Sequence, residues 1–265
     1  MKIIIRNCNV AELDIPLKYA TKLYNEFAIR HPNAFYLRTR QRGMQNWDGK
    51  IKYITKTGQF KIGLLPSVYK RCIELGIKPI IVDMRQPLPK VSKVVTQIGK
   101  YKLRPEQEKA VKAILSNKLG ETPFQIGVLD YTVNAGKTLI MSALYLSYKK
   151  QLKTLLITND SDWLNQARDE FKQYLPGEDI TFVQGKVLNW SNFTIGMVQS
   201  ISRNMKYYQN ELAKIDMVLI DEADQGGSKQ YQNVITRLFN TRVRIGLSGT
   251  IYMSKLAKDK VKNMN

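Results

Sequence analysis

Two patterns of apolar positions succeed one another along the chain. From Tyr101 onward, short and nearly continuous apolar runs alternate with stretches of helical periodicity; the runs are Gln125–Leu129, Thr154–Thr158, Phe193–Val198, Met217–Ile220 and Val243–Leu247. A strand apolar at almost every position is buried on both faces, so this alternation predicts an α/β fold, a parallel sheet with helices on both sides. Residues 1–85 read differently. A strand over Lys2–Arg6 and a helix over Pro16–Ala28 are followed by β-rich sequence punctuated by Gly43, Gly49, Gly58 and Gly63, which predicts hairpins. A second helix, Pro66–Leu75, is stopped by Gly76, and Lys78–Val82 predicts a closing strand. The expected organisation is a small basic α+β domain over 1–85, a linker over 86–100 that opens with Gln86-Pro87-Leu88-Pro89, and an α/β domain over 101–265.

Charge narrows the partners. The 265 residues include 42 Lys+Arg against 22 Asp+Glu, a formal net charge of +20, and an excess of that size attracts polyanions, nucleic acid first among them. Residues 1–100 hold 19 basic against 6 acidic residues and residues 101–265 hold 23 against 16, so the N-terminal part is the more basic. No apolar run approaches the roughly 20 residues of a membrane helix, and the opening MKIII turns polar at Arg6, unlike a secretory signal. The expectation is a cytoplasmic protein (host cytoplasm if phage-encoded) with no membrane partner. Cys8 and Cys72, with the single His31, lack any zinc-ligand spacing and are expected to be reduced structural thiols.

Two groups at predicted strand ends carry phosphate chemistry. The run to Asp130 is followed by Tyr131-Thr132-Val133-Asn134-Ala135-Gly136-Lys137-Thr138 and then by the apolar stretch Leu139–Leu146, a strand, loop and helix cradle. In such a cradle Asn134, Ala135 and Gly136 bring backbone close to ATP, Lys137 meets the outer phosphates, and the Thr138 hydroxyl ligates Mg2+. The strict P-loop pattern has glycine where this chain has Tyr131. The run Met217–Ile220 delivers Asp221 and Glu222, a pair suited to holding Mg2+ (Asp221) and polarising an attacking water (Glu222). In the basic N-terminal part, Arg38, Arg40, Arg42 and Lys50 lie close in sequence to Trp47, Tyr36 and Tyr53. The cations suit phosphates, whereas Trp47 has two readings, a face for unpaired bases or a core residue. Trp163 and Trp190 are expected to pack, His31 to sit in a turn, and Lys255–Asn265 to be a frayed end.

Further segments follow in a fixed order: Leu103-Arg104-Pro105-Glu106-Gln107, then Leu155-Leu156-Ile157-Thr158 with Gln166, then Val198-Gln199-Ser200, then Ser248-Gly249-Thr250. With the cradle and the acidic pair they resemble the motor core of superfamily 2 helicases. The resemblance implies a RecA-like domain in which Arg104 and Gln107 recognise adenine, Gln166 and Gln199 face nucleic acid, and Ser248 and Thr250 couple nucleotide state to strand movement. The N-terminal segments Phe35–Arg40, Asn46–Ile51 and Gly63–Pro66 resemble the front domain of the UvsW-type helicases of tailed phages, which implies DNA, branched or forked, as the partner in recombination, repair or fork restart. A motor of this kind closes on a second RecA-like domain. Only residues 251–265 follow Thr250, so that domain is expected in cis in a longer protein or in trans. The competing expectation is a non-enzymatic DNA-binding protein whose nucleotide site is degenerate or regulatory.

Overall fold

The protein is described by a computed structural model over residues 1–40, 43–91, 93–131, 136–187 and 190–249. The chain divides into two compact units, Met1–Arg85 and the residues from Gln86 onward.

In the first unit, β1 (Lys2–Ile5) and β2 (Val10–Asp14) run antiparallel, and α1 (Leu17–Glu26) leads to β3 (Ala28–Arg30). Next come α2 (Ala34–Arg40), β4 (Lys50–Lys52), β5 (Gln59–Lys61), α3 (Leu65–Glu74) and β6 (Ile80–Asp83). The sheet order is β5-β2-β1-β6, and β3 pairs with β4 in a separate ribbon. Alternation places Ile3 and Ile5, Ala11 and Leu13 on one buried face of the sheet, and Leu23 of α1 and Leu65, Val68 and Cys72 of α3 are buried as well. Cys8 and Cys72 are free and buried, and burial pushes the Cys72 thiol up to about 11. Of the expected hairpins, the one at Gly58 forms: an antiparallel bridge pairs Ile54 with Phe60 and a tight turn joins Thr55 to Gly58, which adopts φ +83°. Beyond it the strands find other partners, β4 with β3 and β5 with β2. The helix α2 lies where β-rich sequence is expected. Only Ala34 and Leu37 turn inward from its two turns, too short a stripe to register as helical periodicity.

The second unit is built on six parallel strands: β11 (Ile126–Asp130), β12 (Thr154–Thr158), β13 (Ile180–Val183), β14 (Phe193–Met197), β15 (Met217–Asp221) and β16 (Val243–Ser248). Short strands β7 (Gln97–Ile98), β8 (Tyr101–Lys102), β9 (Lys118–Leu119) and β10 (Thr122–Pro123) form two ribbons beside it. The sheet order is β11-β16-β15-β12-β14-β13. One face packs α4 (Pro105–Ser116), α5 (Lys137–Ser147) and α6 (Ser161–Tyr174) onto Leu156, Phe193, Leu219 and Ile245. The other packs α7 (Val198–Arg203), α8 (Met205–Leu212) and α9 (Lys229–Ile235) onto Leu155, Ile157, Val183 and Val218. Adjacent residues such as Leu155 and Leu156 go to opposite cores, which is why these strands are apolar throughout. β13 is the strand missing from the sequence reading; its alternation of Thr181 and Val183 is diluted by an edge position with three half-buried residues. The stretch expected as a linker is instead part of this unit, because Leu88, Val91, Val94 and Val95 pack against its core. Trp190 is buried and Trp163 half-buried against the core. Among the described residues no helix is long and apolar enough to cross a membrane.

Candidate functional site

The register of three neighbouring strands assembles the site. Asp130 at the end of β11 is level with Ser248 on β16, and Asp221 at the end of β15 is level with Leu247. Carboxyl ends of parallel strands are where ligands collect in such sheets, since helices begin there with unpaired amides. α5 begins at this edge with Gly136 as its N-cap, at φ +79°. A side chain is disfavoured in that left-handed conformation. A Cβ at Gly136 would moreover stand 2.5 Å from Gln107 Nε2 and 3.9 Å from Arg104 Nη2. The proposed adenine residues Arg104 and Gln107 are thus brought against the proposed phosphate turn, although about thirty residues separate them in sequence. Gln107 also accepts the Arg104 amide on Oε1 at 2.9 Å, which fixes the start of α4.

Lys137 and Thr138 occupy the first turn of α5 and are buried, as is Asp221. The Lys137 ammonium donates to Glu222 Oε1 at 2.9 Å and to Asp221 Oδ1 at 3.3 Å. Burial pulls the lysine down, but Glu222 and Asp221 outweigh it and its pKa stands above the ordinary value. Asp221 is raised because burial disfavours its charge by more than the lysine favours it. Glu222 holds a left-handed backbone, φ +50°, an uncommon conformation for a non-glycine residue and one that functional sites retain. It turns the carboxylate toward Lys137 while Tyr231 donates to the Asp221 carbonyl at 3.3 Å from below.

The donor set fits Mg2+ and a nucleotide phosphate. Among the described residues no three His, Cys, Asp or Glu side chains gather into a cage, and Mg2+ does not ask for one, being held by one or two carboxylates with waters and substrate phosphates. Here one buried aspartate, a threonine in a helix's first turn and a lysine already satisfied by oxygen anions stand together at the start of α5 and the end of β15, with Gly136 as the helix N-cap.

Of the coupling pair, Ser248 donates its hydroxyl to Asp224 Oδ1 at 3.0 Å, tying β16 to the acidic segment. Asp224 has no place in the sequence reading of the site, although it stands within the acidic run. Gln199 donates to the Asn159 carbonyl at 3.3 Å, and Asn159 donates its side-chain amide to Gln225 Oε1 at 2.6 Å. Asn159 and Gln225 carry no local signal, since 66 residues separate them. Gln166 is exposed on α6 and bonds Glu170 at 2.9 Å, outside this chain of bonds. In the first unit Arg38, Arg40 and Lys50 are exposed, and Trp47 is half-buried. The Trp47 indole N–H donates to the Lys50 carbonyl at 3.0 Å and its ring meets His31 edge-on. Asn134, Ala135, Arg42, Thr250 and the tail Lys255–Asn265 lie outside the described residues.

A parallel sheet with helices on both faces, an αL glycine and buried lysine opening the helix after the first strand, and a carboxylate pair two strands away are the architecture of a RecA-like domain. Residues 100–253 match the family described as type III restriction enzyme, res subunit, and the chain belongs to that family. Among curated proteins it is 24% identical over 227 residues to the ATP-dependent DNA helicase uvsW of Enterobacteria phage T4, covering 78% of this chain and 43% of that one. It is 26% identical over 147 residues to an Acanthamoeba polyphaga mimivirus protein provisionally described as an ATP-dependent RNA helicase, covering 55% of this chain and 27% of that one. The chain therefore spans less than half the length of these relatives. A crystal structure of the UvsW helicase from bacteriophage T4 superposes with a TM-score of 0.72 at 20% identity, over 98% of this chain and 97% of that one. A second T4 UvsW structure gives 0.72 at 21% identity over 95% and 53%. The fold is the one the helicase resemblance implies, in both units.

Proposed function

We propose that this chain is the nucleotide-hydrolysing and DNA-binding part of an ATP-dependent DNA helicase or translocase that acts on branched or forked DNA in recombination, repair or fork restart. The observation that carries the reading is the contact of Lys137, in the first turn of α5 after β11, with Asp221 and Glu222 at the end of β15, two strands away. When bound, Mg2+ neutralises charge on the outer phosphates and orients them for in-line displacement. Thr138 and Asp221 would hold it. Lys137 places its ammonium at the outer phosphates, Gln107 and Arg104 present donors and an acceptor to the adenine edge, and the Glu222 carboxylate orients the attacking water and accepts its proton. Ser248 ties β16 to Asp224, two residues beyond Glu222, a link that suits a coupling element. A branched-DNA substrate rests on the front-domain resemblance and on the phage T4 relative. A second RecA-like domain, in cis or in trans, supplies the arginines that stabilise the transferring phosphate, a contribution on the order of a thousandfold or more in rate.

Steady-state ATP hydrolysis, with and without forked DNA, tests the reading beside Lys137→Ala. The variant should lose Mg2+-ATP binding yet keep salt-sensitive DNA binding. Nucleotide binding that survives the substitution sinks the assignment of the cradle; DNA-stimulated turnover by the chain alone shows that the site is completed without another polypeptide.

A further inference from the structure

A lone exposed phenylalanine carries no message, but the outer surface of α2 presents a repeated arrangement. Ala34 is buried against Gly49, where a Cβ would lie 3.0 Å from the alanine's own, and Leu37 is half-buried. At 100° per residue those two define the inward side, so Phe35 and Tyr36 straddle the outermost line of the helix. They are 80% and 54% exposed. Each aromatic has an arginine one turn on: Arg38 follows Phe35 at i+3, and the Arg40 guanidinium lies over the Tyr36 ring, 5.1 Å from its centroid. Thr39 stands between them with its hydroxyl turned back to the carbonyls of Phe35 and Tyr36, at 3.1 and 3.0 Å.

The surroundings set the chemistry of what fits this surface. The stretch from Arg30 to Lys52 holds six basic residues and one acidic residue, Asp48. That carboxylate is engaged, accepting the Lys50 amide at 2.9 Å and pairing with Lys52 at 3.3 Å, and the Lys50 amide above all holds it below the ordinary carboxylate range. Two exposed aromatic rings, each with an arginine one turn on, in a stretch of sequence whose one carboxylate is engaged, match a strand whose bases are unpaired: the rings stack on bases and the arginines take the flanking phosphates. The basic stretch favours a polyanion over a protein partner, and the exposed rings favour unpaired bases over a duplex, whose bases are stacked on one another. Trp47, the aromatic residue the sequence singles out, is engaged inward by Lys50 and His31.

We propose that Phe35 and Tyr36 are a stacking platform for unpaired bases of single-stranded DNA, with Arg38 and Arg40 on the adjoining phosphates. The inference rests on the DNA-binding part of the proposed function and names the residues that perform it. The test is equilibrium binding of the full chain to a fluorescent single-stranded oligonucleotide and to a blunt duplex over a range of salt, for Phe35→Leu, Phe35→Trp and Arg38→Ala. Leucine keeps the apolar bulk and removes the π face at an exposed position, so a melting temperature equal to that of the parent protein is expected.

Phe35→Leu should weaken single-strand binding by roughly tenfold or more with an unchanged salt slope, and leave duplex binding alone. Phe35→Trp should retain affinity, and Arg38→Ala should make the slope shallower by about 0.7. Single-strand affinity unchanged in Phe35→Leu, or an equal loss on the duplex, overturns the stacking role while DNA binding as such stands. A parent protein that binds neither DNA at low salt overturns both this inference and the DNA reading beneath it. Loss of ATP binding in Lys137→Ala is a separate readout that Phe35→Leu should leave untouched.

Discussion

At the scale of single residues the nucleotide site is decided by a few atoms that lack alternatives. Gly136 combines φ +79° with a Cβ direction that ends 2.5 Å from Gln107 Nε2. Gly136→Ala should therefore strain the turn and displace the glutamine together, and ATP affinity measured by calorimetry should fall by at least about tenfold, a loss worth roughly 1.4 kcal/mol. Lys137 is a different case, because its ammonium compensates two carboxylates, one of them buried. Removing one partner of such a buried pair costs roughly 3–5 kcal/mol when the other must stay charged. Asp221 escapes by taking a proton: burial already raises its pKa, and loss of Lys137 raises it further. A carboxyl whose folded-state pKa lies above its unfolded value binds more protons when folded, so its contribution to stability falls as pH rises through that window. Lys137→Ala should be most destabilised near neutral pH and recover toward the parent protein as pH falls and Asp221 takes its proton. Melting temperatures across that range check this; an equal deficit at every pH would remove Asp221 as the cause.

At the scale of elements, β16 positions the acidic segment as firmly as β15 does. A Cβ on Gly246 would stand 2.6 Å from the Ala223 Cβ, and that contact is with a side chain fixed to the backbone between Glu222 and Asp224. Gly246→Ala should shift this segment, destabilise the second unit by about 1–3 kcal/mol as overpacking does, and weaken Mg2+-ATP binding; unchanged nucleotide affinity would show that the segment adapts. The start of α6 is set more locally. Asp160 accepts the amides of Asp162 and Trp163 at 2.8 and 3.1 Å, and Asp160→Ala should cost about 1 kcal/mol in urea unfolding. Elements of this sort were legible in sequence where they are long and strongly patterned, as in α5 and the central strands. The two-turn α2 and the edge strand β13 were not, because a short helix with one inward side, or a strand half-open to solvent, leaves too few repeats to define a period.

For the whole molecule the two units are the natural pieces. Each buries apolar side chains of its own, among them Ile3, Leu23, Leu65 and Cys72 in Met1–Arg85 and those on both faces of the six-stranded sheet from Gln86 onward. A protein cut between Arg85 and Gln86 should yield a second piece that melts cooperatively and binds Mg2+-ATP as the full chain does. Its DNA affinity should be lower and less salt-dependent, since the exposed arginines of α2 are gone. A cut made instead after residue 100, where the prolines and polar residues predict the end of a linker, should strip Leu88, Val91, Val94 and Val95 from the core and lower the melting temperature. Equal melting of the two pieces would show that this stretch adds nothing to the fold.

By itself the sequence determined the class of sheet, five of its six strands, the order of the phosphate and acidic segments and the basic character of the front unit, because those are written in runs of neighbouring residues and in composition. It also carried the resemblance to UvsW-type helicases, which the family match and the fold bear out. Only the tertiary structure decided that β16 and β15 lie between β11 and β12, so that Lys137 meets Asp221 and Glu222 across 84 and 85 residues. It alone brought Gln107 to Gly136 and Asn159 to Gln225, and it turned Trp47 inward while leaving Phe35 exposed. The reason is range. Periodicity and turn chemistry act over a few residues, whereas strand order and the choice of buried face are set by packing between segments far apart in the chain.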